Sequence, residues 1–494
     1  MSGERLKWIL GAKLKHLRLD RGLTLKELAE VSGLSISYLS EIEKGKKYPK
    51  PDKLLDLAAA LELPFDELVS LRVADDLEPL RQVARSPFLQ EFPLELFGLH
   101  AEDLFSLMTD DPERAGALIH ALLDIGRLYD IHVEQFLMAA LRAYQQMNHN
   151  CFPDLEKAAE AYRHERGWGD RPRLALEDLT GILEAEHGVR VDETVLHADP
   201  ELAGFRSVLA PGRRPVLHLN SRLRSIQKSF VVARELGALR LGLGPRAASS
   251  PWLEVETFDE ILNNFKASYF AGALLLPQEP VLADLDRFLA RETWDGAALL
   301  DLMGRYGVTP EMFLHRWTQL APRSQGLEEI FFARFHHYRA EGLFRLTKVF
   351  NLSRVPVPHA LGRAEHHCRR WAALRLLREL AEDPAAGTPL VAVQRSHFLN
   401  EDAEFFVISL ARPLALTPEA SSSVALGFLL DDRFRERVAF AVDPAVARID
   451  VNLTCERCPL PRSECHERAA PPRIQGLQEE RERRRRAVER LISA

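Results

Sequence analysis

Cysteine is scarce in this chain, five in 494 residues, which excludes a disulfide-stapled scaffold; three of the five crowd into Cys455, Cys458 and Cys465, a distribution that suits ligation rather than bridging. No apolar run is long enough to cross a bilayer, residues 271–276 being among the longest, so no membrane partner is expected. Residues 1–15 are charged and amphipathic, without the continuous apolar stretch and small-residue cleavage site of a secretory leader, and the expected location is the cytoplasm. A general excess of positive charge is also missing. The net charge of −7 excludes a surface that is basic throughout. No internal repeat recurs, which excludes a solenoid or propeller.

What is present is ordinary for globular protein: 46% hydrophobic and 28% charged residues, 29 prolines and 27 glycines. The length calls for three or four domains. The charge is uneven: residues 1–50 hold eleven Lys and Arg against six Asp and Glu, so a phosphate-binding face belongs at this end. Turn signals and periodicity predict a multidomain, mainly α fold with α+β parts. Residues 1–72 read as a compact five-helix domain. Residues 73–168 read as a helical linker or dimerisation region, with breaks at Asp111-Pro112 and Phe152-Pro153. Residues 169–342 form an α+β domain with a helical extension reaching residue 340, including a strand at 216–219 and helices over 225–241 and 258–275. Residues 343–450 read as a small α/β sensor-like module with strands at 390–394, 404–410 and 438–442. Residues 451–494 hold the cysteine segment and a charged helix over 477–491.

The segment from Gly22 to Gly45 reads as two helices and a turn. Thr24 caps the first helix and Glu27 reaches back to the Thr24 amide, a capping box. Leu25, Leu28, Ala29 and Val31 are expected to be buried, Gly33 to take the left-handed turn, and Ser35 to cap a second helix whose Leu39 and Ile42 face inward. A further helix follows over 52–61. This spacing resembles the phage-repressor-like helix-turn-helix family. The resemblance implies a double-stranded DNA operator as partner, with Ile36, Ser37 and Glu41 reaching base edges, Tyr38 and Ser40 flanking them, and Ser35, Lys44, Lys46 and Lys47 holding phosphates. Glu41 would accept from a cytosine amino group.

The run Ser229-Phe230-Val231-Val232-Ala233-Arg234-Glu235-Leu236-Gly237-Ala238 resembles the zinc helix of the ImmA/IrrE metallopeptidase-like family. That chemistry needs two imidazoles four residues apart and a carboxylate to activate water. Arg234 and Ala238 stand at the two histidine positions, and Asn264 stands at the acidic one. Only Glu235 remains, so the expectation is a zincin-like domain without metal ligands and without enzymatic activity. A pocket retained without its chemistry can serve a ligand or a subunit contact.

Cys455 and Cys458 make a C-x2-C turn and Cys465 follows after six residues, three thiolates spaced for one metal or cluster. Cys368 and His466 are candidates for the fourth ligand. Zinc and [4Fe-4S] both accept four thiolates. Here the whole chain resembles the short-chain fatty-acyl transcriptional regulators, through Phe265-Lys266-Ala267-Ser268-Tyr269-Phe270-Ala271, a cysteine shortly before Trp371, and a terminal cysteine triplet followed by Arg468-Ala469-Ala470-Pro471-Pro472. The resemblance implies sensing of CoA or acyl-CoA and, with Cys368 as fourth sulfur, a [4Fe-4S] cluster, zinc remaining the alternative. Cys151 is expected to be packing, and the pairs His336-His337 and His366-His367 to lie at the surface. The mixed-charge run 479–486 reads as a solvated face.

Three functions follow. The leading one is a ligand-responsive regulator that binds a palindromic operator as a homodimer or higher homo-oligomer. The others are a metallopeptidase that cleaves a repressor and a regulator that senses redox state alone.

Overall fold

The structure, a computed structural model, describes residues 3–69, 96, 133–169, 171–251, 257–353, 355, 365–382 and 389–492. The break expected at Asp111-Pro112 and most of the helical stretch from residue 99 fall outside them. The chain divides into two compact units, residues 1–144 with 255–261, and residues 145–254 with 262–494.

The smaller unit contains the five expected short helices: α1 (Gly3–Asp20), α2 (Leu25–Ser32), α3 (Ile36–Glu43), α4 (Pro51–Ala60) and α5 (Phe65–Val69). Their apolar faces close one core around Leu10, Leu14, Leu28, Leu39, Ile42, Leu57 and Leu68. Val31 is not in it. Contrary to the expectation for the inner face of α2, Val31 is 63% exposed, one turn along from the fully buried Leu28. α6 (Val133–Met147) begins at the far end of this unit.

In the larger unit, α7 (Pro153–Glu165) starts where the Phe152-Pro153 break is expected, with proline in its first turn. α8 (Leu176–His187), β1 (Arg190–Asp192), β2 (Ser207–Ala210), β3 (Val216–Leu219), α9 (Ser225–Arg240) and β4 (Ser249–Ser250) follow. The four strands form a sheet in the order β1-β3-β2-β4, parallel only between β1 and β3, and α9 packs on α8. Then come α10 (Phe258–Leu275), α11 (Gln278–Leu289), α12 (Gly296–Tyr306) and α13 (Pro310–Leu320).

A second, six-stranded sheet is built from β5 (Ile330–Tyr338), β6 (Leu343–Asn351), β7 (Leu390–Phe398), β8 (Ala403–Pro413), β9 (Ala420–Leu429) and β10 (Arg448–Val451), in the order β10-β7-β8-β9-β5-β6. α14 (Ala372–Glu382) covers one face of it and α13 the other. The pairings are antiparallel except β10 with β7. β5 corrects the expected helix through residue 340. Its residues feed two cores at once: Phe332 joins Phe406, Ile408, Val424 and Leu426 on one face, while Phe331, Ala333 and Phe335 join Phe405 and Trp371 on the other. A strand covered on both sides shows no alternation for a reader to use. The sheet-bearing region therefore begins at Ile330, ahead of residue 343.

Residues 439–442, expected as a strand, form a short 3-10 turn after α15 (Asp432–Arg437). Phe440 there packs on Phe288, Trp294 and Phe406. The chain ends in α16 (Arg473–Ile492), which has no buried residue, as expected of its mixed-charge run.

Candidate nucleic-acid interface and cysteine centre

The recognition element is built by local capping. Thr24 Oγ1 accepts from the Glu27 amide at 3.2 Å, and the Thr24 amide donates to Glu27 at 2.7 Å. Gly33 turns the chain at φ 69°, a conformation that costs a side-chain-bearing residue dearly. Ser35 Oγ then accepts from the Tyr38 amide at 3.2 Å and starts α3. Leu39 and Ile42 are buried, so the rest of α3 is held outward. Helix α1 seats α3 closely at Gly11, where a Cβ would stand 2.3 Å from the Ile42 carbonyl oxygen. A bidentate pair, Arg18 Nε to Glu43 Oε1 at 2.6 Å and Nη2 to Oε2 at 3.0 Å, fixes the end of α3 from within.

The nine residues singled out from the sequence lie on one continuous stretch. Ser35, Ile36 and Ser37 are exposed at the start of α3, Tyr38, Ser40 and Glu41 are half-buried along it, and Lys44, Lys46 and Lys47 are exposed just beyond it. Ser35 and Ser37 share a hydrogen bond at 3.2 Å. Glu41 is not free: Lys47 Nζ sits 2.7 Å from its carboxylate, and that bond holds the ammonium above its ordinary pKa. Lys47 also lies 5.7 Å from the Tyr38 ring centre.

In the larger unit the cysteines meet across a great distance in sequence. An isolated antiparallel bridge pairs His367 with Thr454; the Cys455 amide donates to the His366 carbonyl at 2.9 Å, and the Cys368 amide to Leu453 at 3.3 Å. Trp371 Nε1 donates to the Asn452 carbonyl at 2.9 Å. Buried Glu456 accepts from the His366 amide at 2.9 Å and approaches the His366 ring at 2.8 Å. Cys368, Cys455, Cys458 and Cys465 are all buried free thiols. Burial pushes the Cys368 thiol up to about 12, with Cys455 and Cys458 adding to the rise. The Cys458 thiol is likewise raised by burial, and by Cys465 and Cys455. Those mutual influences mean that the four sulfurs share one neighbourhood. The Ala469 amide points at Cys455 Sγ at 3.3 Å, a donor suited to a thiolate.

Among the described residues no three His, Cys, Asp or Glu side chains already stand in ligand geometry; the thiols are gathered without being drawn into a coordination sphere. His466, the other candidate ligand, is exposed, and Cys151 is a half-buried thiol outside the group. His337 and His367 are not surface residues. His337 is 7% exposed and stacks on Phe344 at 4.2 Å, and His367 is 5% exposed and sits edge-on to Phe335.

On α9, Arg234 and Glu235 are buried and Ala238 is 2% exposed. Arg234 Nη2 lies 3.4 Å from Ser207 Oγ and 3.4 Å from Glu235, whose other oxygen pairs with Arg246. The one remaining motif carboxylate is therefore held between two guanidiniums. Asn264 is buried.

Comparison with known proteins agrees with this anatomy. Residues 14–68 match the helix-turn-helix family and residues 185–318 the IrrE N-terminal-like domain family. The chain is a DNA-binding transcriptional regulator that joins a helix-turn-helix head to an IrrE-like domain. Across 97% of its length, and 97% of the relative's, it is 23% identical to the propionyl-CoA carboxylase regulator of Cereibacter sphaeroides. The head alone is 39% identical over 57 residues to the transcriptional regulator ClgR of Mycobacterium tuberculosis, 12% of this chain and 51% of that one. It is 39% identical over 79 residues to the transcriptional repressor RghR of Bacillus subtilis, 16% of this chain and 56% of that one. A solved Mycobacterium tuberculosis transcriptional regulator matches 67% of this chain and 92% of its own, at 19% identity and a TM-score of 0.46. No described helix is long and apolar enough to cross a membrane.

One group of functional candidates was missed in the sequence: Arg206, Arg224, Arg334, Lys348 and Arg412. Three lie on separate strands and two just before β2 and α9, and no local spacing joins them.

Proposed function

We propose that this regulator reads an operator through α3 and is controlled by CoA or an acyl-CoA, with a cysteine-held [4Fe-4S] cluster in its larger unit. The observation that carries the DNA-reading part is the outward stretch from Ser35 to Lys47. Hydroxyls and one carboxylate lie where base edges are met, and three lysines follow for phosphates. The head binds as a homodimer, so that two α3 helices meet successive major-groove turns.

What supports a thiolate-ligated group is that Cys368, Cys455, Cys458 and Cys465 are buried and act on one another electrostatically, and that a backbone amide meets Cys455; they do not already stand in ligand geometry. Such a cluster, when bound, supplies one-electron redox chemistry and a structural tie. The IrrE-like domain is non-catalytic in this reading, because Arg234 and Ala238 offer no imidazole and Arg234 with Arg246 occupies Glu235. Buried guanidiniums repel the cation that hydrolysis by this route requires.

The test is binding of the intact protein, purified without oxygen, to fragments upstream of its own neighbouring genes. One fragment should be retained over random DNA, with retention that weakens steeply with salt and shifts on adding CoA or acyl-CoA esters. Equal retention of every fragment sinks the operator reading. A selective fragment whose retention no CoA species alters sinks the ligand reading alone.

A further inference from the structure

The register of the second sheet collects cations at one end of its α13 side. Arg334 on β5 faces Lys348 on β6. Two residues further along β5, His336 lies opposite Ser422, and Ser422 lies opposite Arg412 on β8. From the first turn of α13, Glu311 bonds Arg334 at 2.6 Å and stands 3.9 Å from Lys348. Arg206, at the entrance to β2, acts electrostatically on Glu311, His336, Lys348 and Arg412, and Arg224, before α9, acts on Arg412. Four cations therefore share the Glu311 carboxylate, and Arg224 stands beside Arg412 as a fifth. Among the described residues, Arg206, Arg224 and Arg412 make no direct ion pair, Glu311 acting on Arg412 at longer range.

Such crowding opposes folding unless something offsets it. Against the desolvation that would raise it, Arg334, Lys348 and Arg206 hold the Glu311 carboxyl well below its usual range. Burial pushes Lys348 down to about 8, aided by Arg334 and Arg206 and opposed by Glu311. Burial likewise brings Arg412 to about 10 and His336 to about 4, so His336 is neutral near pH 7. The cluster is nevertheless reachable: Lys348 keeps 38% of its side-chain surface and Arg206 is exposed. Arg206 also acts on Arg234, so the cationic wall continues toward the altered zinc helix.

We propose that this wall is a binding site for a small molecule carrying two or more phosphates, gripped by Arg206, Arg224, Arg334, Lys348 and Arg412. Guanidinium forks match phosphate oxygens in pairs. The positive excess is four charges over Glu311, and a single phosphate offsets at most about two; hence at least two phosphates. The site deepens the CoA reading above and rests on it only for the identity of the ligand, since CoA and a nucleoside polyphosphate share the required chemistry.

The experiment is calorimetric titration of the intact protein with CoA, ATP, pyrophosphate and inorganic phosphate, repeated on R206Q and R412Q. Both variants are checked for operator retention and far-UV spectrum; Arg206 is exposed, so R206Q folds even if R412Q does not. Binding of CoA or ATP is expected, weaker for phosphate, with affinity falling roughly ten- to hundredfold in each variant, the size of a lost hydrogen bond to a charged group. No binding of any of the four, or equal binding by wild type and R206Q, overturns the site. CoA bound equally by both overturns the site and leaves the CoA reading standing. ATP and pyrophosphate bound in a variant-sensitive way, with CoA unbound, support the site and end the CoA reading.

Discussion

Arg18 of α1 and Glu43 at the end of α3 are joined by two hydrogen bonds inside the DNA-reading head, with only 7% and 6% of their surfaces exposed. Arg18 also donates to the Leu23 carbonyl at 2.7 Å, so one guanidinium ties the ends of α1, the following turn and α3. The Glu43→Gln variant strands that guanidinium in the core. Removing one partner of a buried pair costs about 3–5 kcal/mol, and hydrogen exchange of the Leu39 and Ile42 amides in the intact protein should accelerate accordingly. Unchanged exchange would show that the pair holds nothing in place.

The Glu41–Lys47 contact sets a cost on DNA docking, because Lys47 must leave the carboxylate to reach a phosphate. Lys47→Ala should lower affinity for all sequences alike and reduce the salt slope by about one. Glu41→Ala should instead alter the preference at one base pair, by about 1–3 kcal/mol of discrimination. Competition assays with single-base operator variants separate the two; a uniform loss from Glu41→Ala defeats the base-reading assignment.

Acid stability should depend on Glu156. Desolvation would raise its pKa, but Arg316 at 2.6 and 2.7 Å and Tyr269 at 2.5 Å hold the carboxyl below its ordinary value. A depressed pKa means that the unfolded chain takes up the proton first. The contribution is therefore full above the unfolded value of about 4.3 and is lost as pH falls through the folded one. Denaturant titrations of wild type and Glu156→Gln should differ at pH 7 and converge on acidification. A gap that persists below pH 3 argues against the linkage.

Metal or cluster content should follow four cysteines and ignore the fifth. Serine at Cys368, Cys455, Cys458 or Cys465 is expected to reduce iron and sulfide, or zinc, in anaerobically purified protein, while Cys151→Ser leaves them at the wild-type level. Visible absorption distinguishes cluster from zinc. Full retention in Cys368→Ser would transfer the fourth position to another ligand, His466 first.

Legibility in the sequence followed the range of the interactions. The capping and turn of the head were readable because Thr24, Glu27, Gly33 and Ser35 act on atoms within one turn, whereas the burial of Val31 was misread. The strand at Val216–Leu219 and helix at Phe258–Leu275 were legible for the same reason, one by burial alternation and one by apolar periodicity. β5 was not, since Phe331 and Phe332 are buried on opposite faces and their pattern carries no polar side. Residues 439–442 resemble a strand in composition, but no neighbouring strand pairs with them; the Phe440 ring, not a ladder, determines their position. The cysteine grouping was legible, but the environment of His367 was not, because the Thr454 bridge that buries it lies far along the chain. The cationic wall had no sequence signal at all, being made only when β5, β6, β8 and α13 come together.

The bridge between His367 and Thr454, and the parallel pairing of β10 with β7, give the cysteine group an order of assembly. A ribosome makes the head first, Cys368 much later, and Cys455, Cys458 and Cys465 later still. A nascent or prematurely ended chain can thus carry a finished DNA-reading head with one sulfur and no companions. Any control exerted through the thiol centre therefore waits until Cys465 has been made, long after the head is complete.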